Sequence, residues 1–158
     1  MAGGAAPLAA RAPQDTTPAR AAVTPRVRAL AGCYRLTVGR WRRGTRPVIG
    51  PDWLPGRFRL DTLAYTGRRA GYFVVTPPPA TPDGVRGLRG LWRPAADSVA
   101  LDWGDGFTGV ALDLVVRGRS LVGRAQGHHD GNRRGEPPDP AAPVRAKPAA
   151  CTIGEPRA

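Results

Sequence analysis

Few residue groups in this chain have the side chains and spacing for chemistry. His128-His129-Asp130 is the only histidine cluster. Two imidazoles and a carboxylate suit a transition metal, but a site needs a third or fourth ligand, and none is identifiable. Ser98 and Ser120 are the only serines, and neither lies in a G-x-S-x-G turn. Asp102 and Asp105 resemble a pair of carboxylates for acid–base work. Asp105 precedes Gly106, however, and an Asp-Gly turn accounts for it without catalysis. Gly104-x-Gly106 lacks the further glycines and the following helix of a phosphate loop. The residues therefore predict neither an enzyme nor a bound metal or cofactor.

Arg40, Arg42, Arg43 and Arg46 surround Trp41, with Trp53 nearby. Guanidinium groups beside aromatic rings hold phosphates or stack on bases. The same segment, as a lid over a barrel mouth, would hold the head group of an anionic amphiphile whose tail enters the barrel. The segment supports both readings.

The two cysteines, Cys33 and Cys151, raise the question of compartment. Leu30-Ala31-Gly32-Cys33 has the order of a bacterial lipidation signal. Such a signal needs an uninterrupted apolar stretch before it. Pro25, Arg26 and Arg28 stand there instead. A disulfide fits better, joining the first and last elements of one domain. Disulfides persist in oxidising compartments, so an exported protein is expected. The alternative is two free thiols inside the cell.

These groups need a scaffold, and the pattern over residues 28–126 has period 2 rather than 3.6. Tyr34, Leu36 and Val38 alternate with polar residues, as do Phe58 and Leu60. Residues 71–75 form a short β-rich run. Asp105-Gly106 and Arg117-Gly118-Arg119-Ser120 are hairpin turns between apolar runs. They predict an antiparallel meander of strands at 86–93, 97–103, 107–116 and 119–127. A last strand between Val144 and Ile153 would carry Cys151. The result is an all-β domain of about eight strands, an up-and-down barrel or alternatively a β-sandwich. Barrel closure is favoured because it removes exposed edges. Residues 1–29 read as a disordered Ala/Pro/Arg-rich leader, 30–153 as the barrel domain and 154–158 as a tail. No helix of convincing length is predicted, and no run approaches the ~20 apolar residues of a membrane span.

The order Gly32-Cys33-Tyr34-Arg35-Leu36, Trp41, a long first connection and then successive hairpins resembles the calycin superfamily, which contains the lipocalins. Tyr34 stands where lipocalins carry the tryptophan of a Gly-x-Trp motif. The chain is also similar to small uncharacterised barrel proteins of GC-rich soil bacteria. The resemblance implies an apolar cavity for a small hydrophobic ligand. Its wall would be Tyr34, Leu36, Phe58, Leu60, Trp92, Leu101, Trp103 and Leu112, with Val99, Val110 and Leu114. Gly90 and Gly123 would leave room inside. The alternative is that these residues fill a solid core.

The net charge of +12 makes polyanions, nucleic acid included, an obvious class of partner. The charge has no single dense block. Residues 1–30 carry four Arg against one Asp, residues 31–126 fifteen Arg against seven Asp, and residues 127–158 five basic against four acidic groups. All but one of the 24 basic residues are arginine, the exception being Lys147, as a GC-rich coding sequence produces without selection for binding. The sequence thus favours non-catalytic binding of a small hydrophobic or amphipathic molecule. A polyanion binder and a solid-core interaction module are the alternatives.

Overall fold

Alternating residues sort the chain into strands, and the turns between them set the topology. A computed structural model describes residues 21–42, 54–76, 89–105, 107–129 and 140–151. The strands are β1 (Gly32–Val38), β2 (Arg57–Ala64), β3 (Phe73–Thr76), β4 (Arg89–Pro94), β5 (Ser98–Gly104), β6 (Thr108–Arg117), β7 (Ser120–His129) and β8 (Ala141–Pro148). Each pairs antiparallel with the next, and β8 returns to β1, closing an eight-stranded barrel. The predicted meander corresponds to β4–β7, whose registers run without interruption from Pro94↔Val99 to Arg117↔Ser120. Gly118, at φ 57°, occupies the left-handed region that this two-residue turn requires.

The alternation puts one set of residues inside. Leu101 faces Leu112, Leu112 faces Ala125, and Leu121 faces Ala146 across successive strands. Tyr34 stacks on Phe58 at 5.6 Å between ring centroids, and Phe58 meets Trp103 edge-on at 5.5 Å. Eight strands enclose a space that side chains of this size fill.

One element departs from the sequence expectation. Pro25–Leu30 is a helix, α1, inside the segment read as leader. Thr24 caps it by accepting from the Val27 N–H at 3.3 Å, and Pro25 begins it with φ already set. Val27 and Leu30 are buried in the barrel's core cluster, and the Tyr34 hydroxyl donates to the Leu30 carbonyl at 2.8 Å. The helix thus covers the end of the barrel where β1 begins. Six residues span less than two turns, too few to show a 3.6 period, and so short a helix holds only through its packing. Residues 1–20 of the leader, the tail at 154–158 and the segments 43–53 and 130–139 lie outside the described residues.

The strand β2 contains a bulge: its register with β3 shifts between Leu60 and Ala64. Asp61 sits in it. Its carbonyl accepts from Trp92 Nε1 at 2.9 Å, and its carboxylate accepts from Thr76 Oγ1 at 2.5 Å and Arg59 Nε at 2.6 Å. The bulge redirects the following connection, residues 65–72, over the outer wall of the barrel.

The predicted pair, Cys33 and Cys151, is joined as a disulfide with a Cα–Cα distance of 5.2 Å. Beside it the Ala149 N–H donates to the Cys33 carbonyl at 2.9 Å. The bond occupies Cys33, so the cysteine of the lipidation-like stretch is not a free thiol. No helix among the described residues is long and apolar enough to cross a membrane.

Candidate functional site

The eight residues predicted to wall a cavity all lie inside the barrel. Trp92, Trp103 and Leu112 are 0 % exposed, Phe58 and Leu60 1 %, and Leu101 2 %. Tyr34 and Leu36, both on β1, are 7 % exposed. Side chains this enclosed have no water-sized space against them, so the lumen along these strands is filled. The two glycines expected to leave room do not. A Cβ on Gly90 would lie 2.8 Å from Trp103 Nε1 and 2.9 Å from Val75 Cβ, and one on Gly123 would collide with the Asp113 carbonyl oxygen. The space above Gly90 is already taken by Trp103, whose own N–H finds no acceptor among the described residues.

The arginines around Trp41 separate. Arg40 and Arg42 are exposed beyond the end of β1, while Arg43, Arg46 and Trp53 lie outside the described residues. Arg42 extends the β1–β8 pairing through backbone bonds to Ala141 and lines a recess of about 330 Å³ with Arg124 and Pro143. Trp41 is half-buried and packs against the core.

A larger cleft, about 560 Å³, lies on the outer wall over β4 and β5. The connection 65–72 forms one side, with Tyr65, Arg68 and Arg69, and the β5–β6 turn supplies Asp105 and Phe107 on another. Leu91 lies within it and, though it points outward from β4, is only 6 % exposed because the 65–72 segment covers it. Phe107 is 65 % exposed. Arg89 donates to the Tyr65 hydroxyl and lies over the Tyr65 ring, 5.7 Å from its centroid. Arg69 and Arg93 lie over the Tyr72 ring at 5.9 and 5.3 Å. These guanidinium–ring contacts hold the segment down on the wall.

Asp102 is the polar anchor of the cleft. One carboxylate oxygen accepts from Arg69, and the other lies 3.2 Å from His128 Nε2. His128 belongs to β7, two strands away. It crosses β6 at Gly109, where a Cβ would lie 2.8 Å from Nε2, so glycine there is what lets the ring reach Asp102. Burial pushes the Asp102 carboxyl up, but hydrogen bonds from His128 and Arg69 outweigh it and hold it below its ordinary 3.8. The same bond raises the Arg69 guanidinium. Asp105 is also held low, by the backbone N–H groups of Thr108 and Phe107, which it accepts at 2.7 and 2.8 Å. That is the turn role expected of an Asp-Gly pair. Of the histidine cluster, only the His128 side chain is described, and no group of His, Cys, Asp and Glu able to hold a metal exists among the described residues.

A folded carboxyl held below 3.8 contributes stability that is fully present above that pH and is lost as the pH falls through the folded value. The melting temperature of Asp102→Asn should therefore lie below that of the native chain at neutral pH. The gap should close as both are acidified below about pH 4. A gap independent of pH would mean that packing, not charge, makes Asp102 matter.

Sequence reasoning overlooked Tyr65, Arg68, Arg69 and Arg89. The stretch Tyr65-Thr66-Gly67-Arg68-Arg69-Ala70-Gly71-Tyr72 held the signal: paired arginines between two glycines, flanked by tyrosines. Gly71, at φ 82°, makes the return turn. No family model, curated protein or solved structure matches this chain; of the expected resemblances to calycins and to soil-bacterial barrel proteins, the structure supports a closed eight-stranded antiparallel barrel and no family.

Proposed function

We propose that this barrel is a non-catalytic binding protein for a small amphipathic anion, held in the wall cleft rather than in the lumen. The observation that carries the reading is the composition of the cleft. Arg68 and Arg89 face it with no acidic partner among the described residues, beside the apolar Leu91 and the exposed ring of Phe107. Its volume of about 560 Å³ suits a small organic ligand. Arginines take the charged group through charge-assisted hydrogen bonds, and Phe107 and Leu91 take the apolar body. The acid–base groups are committed elsewhere. Both Asp102 oxygens are occupied, and the lining holds no Ser, Thr or Cys nucleophile. The Tyr65 hydroxyl accepts from Arg89.

The test uses two fluorescent probes, anilinonaphthalene sulfonate and its neutral analogue phenylnaphthylamine. The sulfonate should bind more tightly. Arg68→Gln with Arg89→Gln should cost about 1.5–3 kcal/mol of that affinity, roughly tenfold or more. Equal affinity for the two probes would sink the proposal. So would a sulfonate affinity that responds to Leu112→Trp in the lumen and not to the arginines.

A further inference from the structure

Barrel closure creates a second charged surface, on the wall opposite the cleft. Outward residues of β2, β1 and β8 share registers: Arg35 is opposite Arg57 on one side and Lys147 on the other. Three cations therefore stand in one row across three strands. Directly opposed outward side chains are about 5 Å apart at Cβ, and like charges so placed destabilise a sheet. Arg145, opposite Thr37, adds a fourth cation one step along β8, and Arg59, paired with Asp61, lies opposite Cys33. Arg35, Arg57, Arg145 and Lys147 are all exposed, and β1 and β8 contain no acidic residue. Composition explains many arginines, but it does not explain why three of the five cations on these strands fall into one opposed row. Keeping Arg35 and Lys147 opposed on strands that carry no acid works against the fold, which is what a surface selected for an external anion does.

We infer that this wall is a docking surface for the anionic phosphate head groups of a lipid bilayer. Two observations choose a bilayer over nucleic acid. The described outward residues of β8, β1 and the start of β2 include no aromatic ring on which a base could stack, so the wall reads charge alone. The disulfide at Cys33 lies on the same wall, and such bonds persist where membranes rather than nucleic acids present phosphate. β1 and β8 expose no large apolar side chain, and Leu63 of β2, 58 % exposed, lies at the far end of that strand within the bulged stretch, so the barrel rests on head groups without inserting. The inference is independent of the cleft.

The experiment is co-sedimentation of the full chain with vesicles of phosphatidylcholine, alone or mixed with phosphatidylglycerol. Binding is expected only to the mixed vesicles and should weaken as salt rises. Each basic group near an anionic surface contributes roughly fivefold to partitioning, so Arg35→Glu and Lys147→Glu should each lower it by about an order of magnitude. Both variants should melt at or above the native temperature, because each replaces a repulsive pair with an attractive one. Arg68→Glu, on the far wall, should lower partitioning much less. Unchanged partitioning in the two wall variants, or equal binding to neutral vesicles, would overturn the inference. Tighter binding to duplex DNA than to vesicles, lost in the same variants, would overturn it in favour of nucleic acid.

Discussion

Replacing Cys33 and Cys151 with serine is expected to lower the unfolding free energy by about 4–5 kcal/mol, the chain-entropy value for a closed loop of this length. The two residues are separated by 118 positions. The bond spans the seam on which the whole fold depends. β1 and β8 close the barrel through five registered pairs, and the disulfide clamps the end of that seam, one residue before Tyr34. Without it, the first and last strands must find each other across nearly the entire domain. Domains of this size have only about 5–15 kcal/mol in total, so the loss removes roughly a quarter or more of it. The melting temperature should fall by roughly 10–20 °C. Chemical denaturation of the double variant, beside the native chain with and without reductant, measures this. A change under about 1 kcal/mol would mean that the unfolded chain already keeps its ends together or that the native bond is strained. The same measurement bears on compartment: a fold this dependent on a disulfide belongs where the bond persists, and export is proposed on that ground.

Trp103→Ala is expected to cost about 3–5 kcal/mol, the range for deleting a large buried aromatic. Trp103 is 0 % exposed, meets Phe58 edge-on at 5.5 Å, and fills the space above Gly90. Its removal should leave a dry cavity that takes up benzene, which the native barrel should exclude. Uptake of benzene by the native protein would show that the lumen is not filled and would return the ligand to the barrel interior. Substitution by phenylalanine separates packing from hydrogen bonding. Trp103→Phe removes a buried N–H that has no acceptor among the described residues, so part of the packing loss is offset. Trp92→Phe removes the donor to the Asp61 carbonyl and leaves that acceptor unpaired beside the β2 bulge. Of the two, Trp92→Phe should be the more destabilising.

Taken together, the two walls describe a barrel whose surfaces rather than its interior face its surroundings. One wall holds Arg68 and Arg89 beside Phe107; the other presents Arg35, Arg57 and Lys147. The proposals are separable by experiment, since Arg68→Glu should act on the probe anion and Arg35→Glu on the vesicle.

The strands, their turns and the disulfide were legible in the residues because their causes are local or pairwise. Alternation in β4–β7 shows which side chains face the core, Asp105 and Gly118 make the turns, and two lone cysteines at the edges of the pattern have only each other. The helix Pro25–Leu30 was hidden because six residues carry no periodic signal and two buried side chains, Val27 and Leu30, hold it in place. The filled lumen was also out of reach. Whether Gly90 leaves a gap depends on Trp103 from the neighbouring strand, and neither residue specifies the other. The cleft assembles Arg69 from one connection, Asp102 from β5 and His128 from β7, brought together by a bulge near Asp61 and by the absence of a side chain at Gly109. The cation row exists only because β8 closes onto β1, placing Lys147 beside Arg35 although 112 positions separate them in the chain. Sequence determined the elements, since period and turn chemistry act within a few residues. Tertiary structure decided what those elements enclose and what they present outward, since register and closure act between residues that the chain keeps far apart.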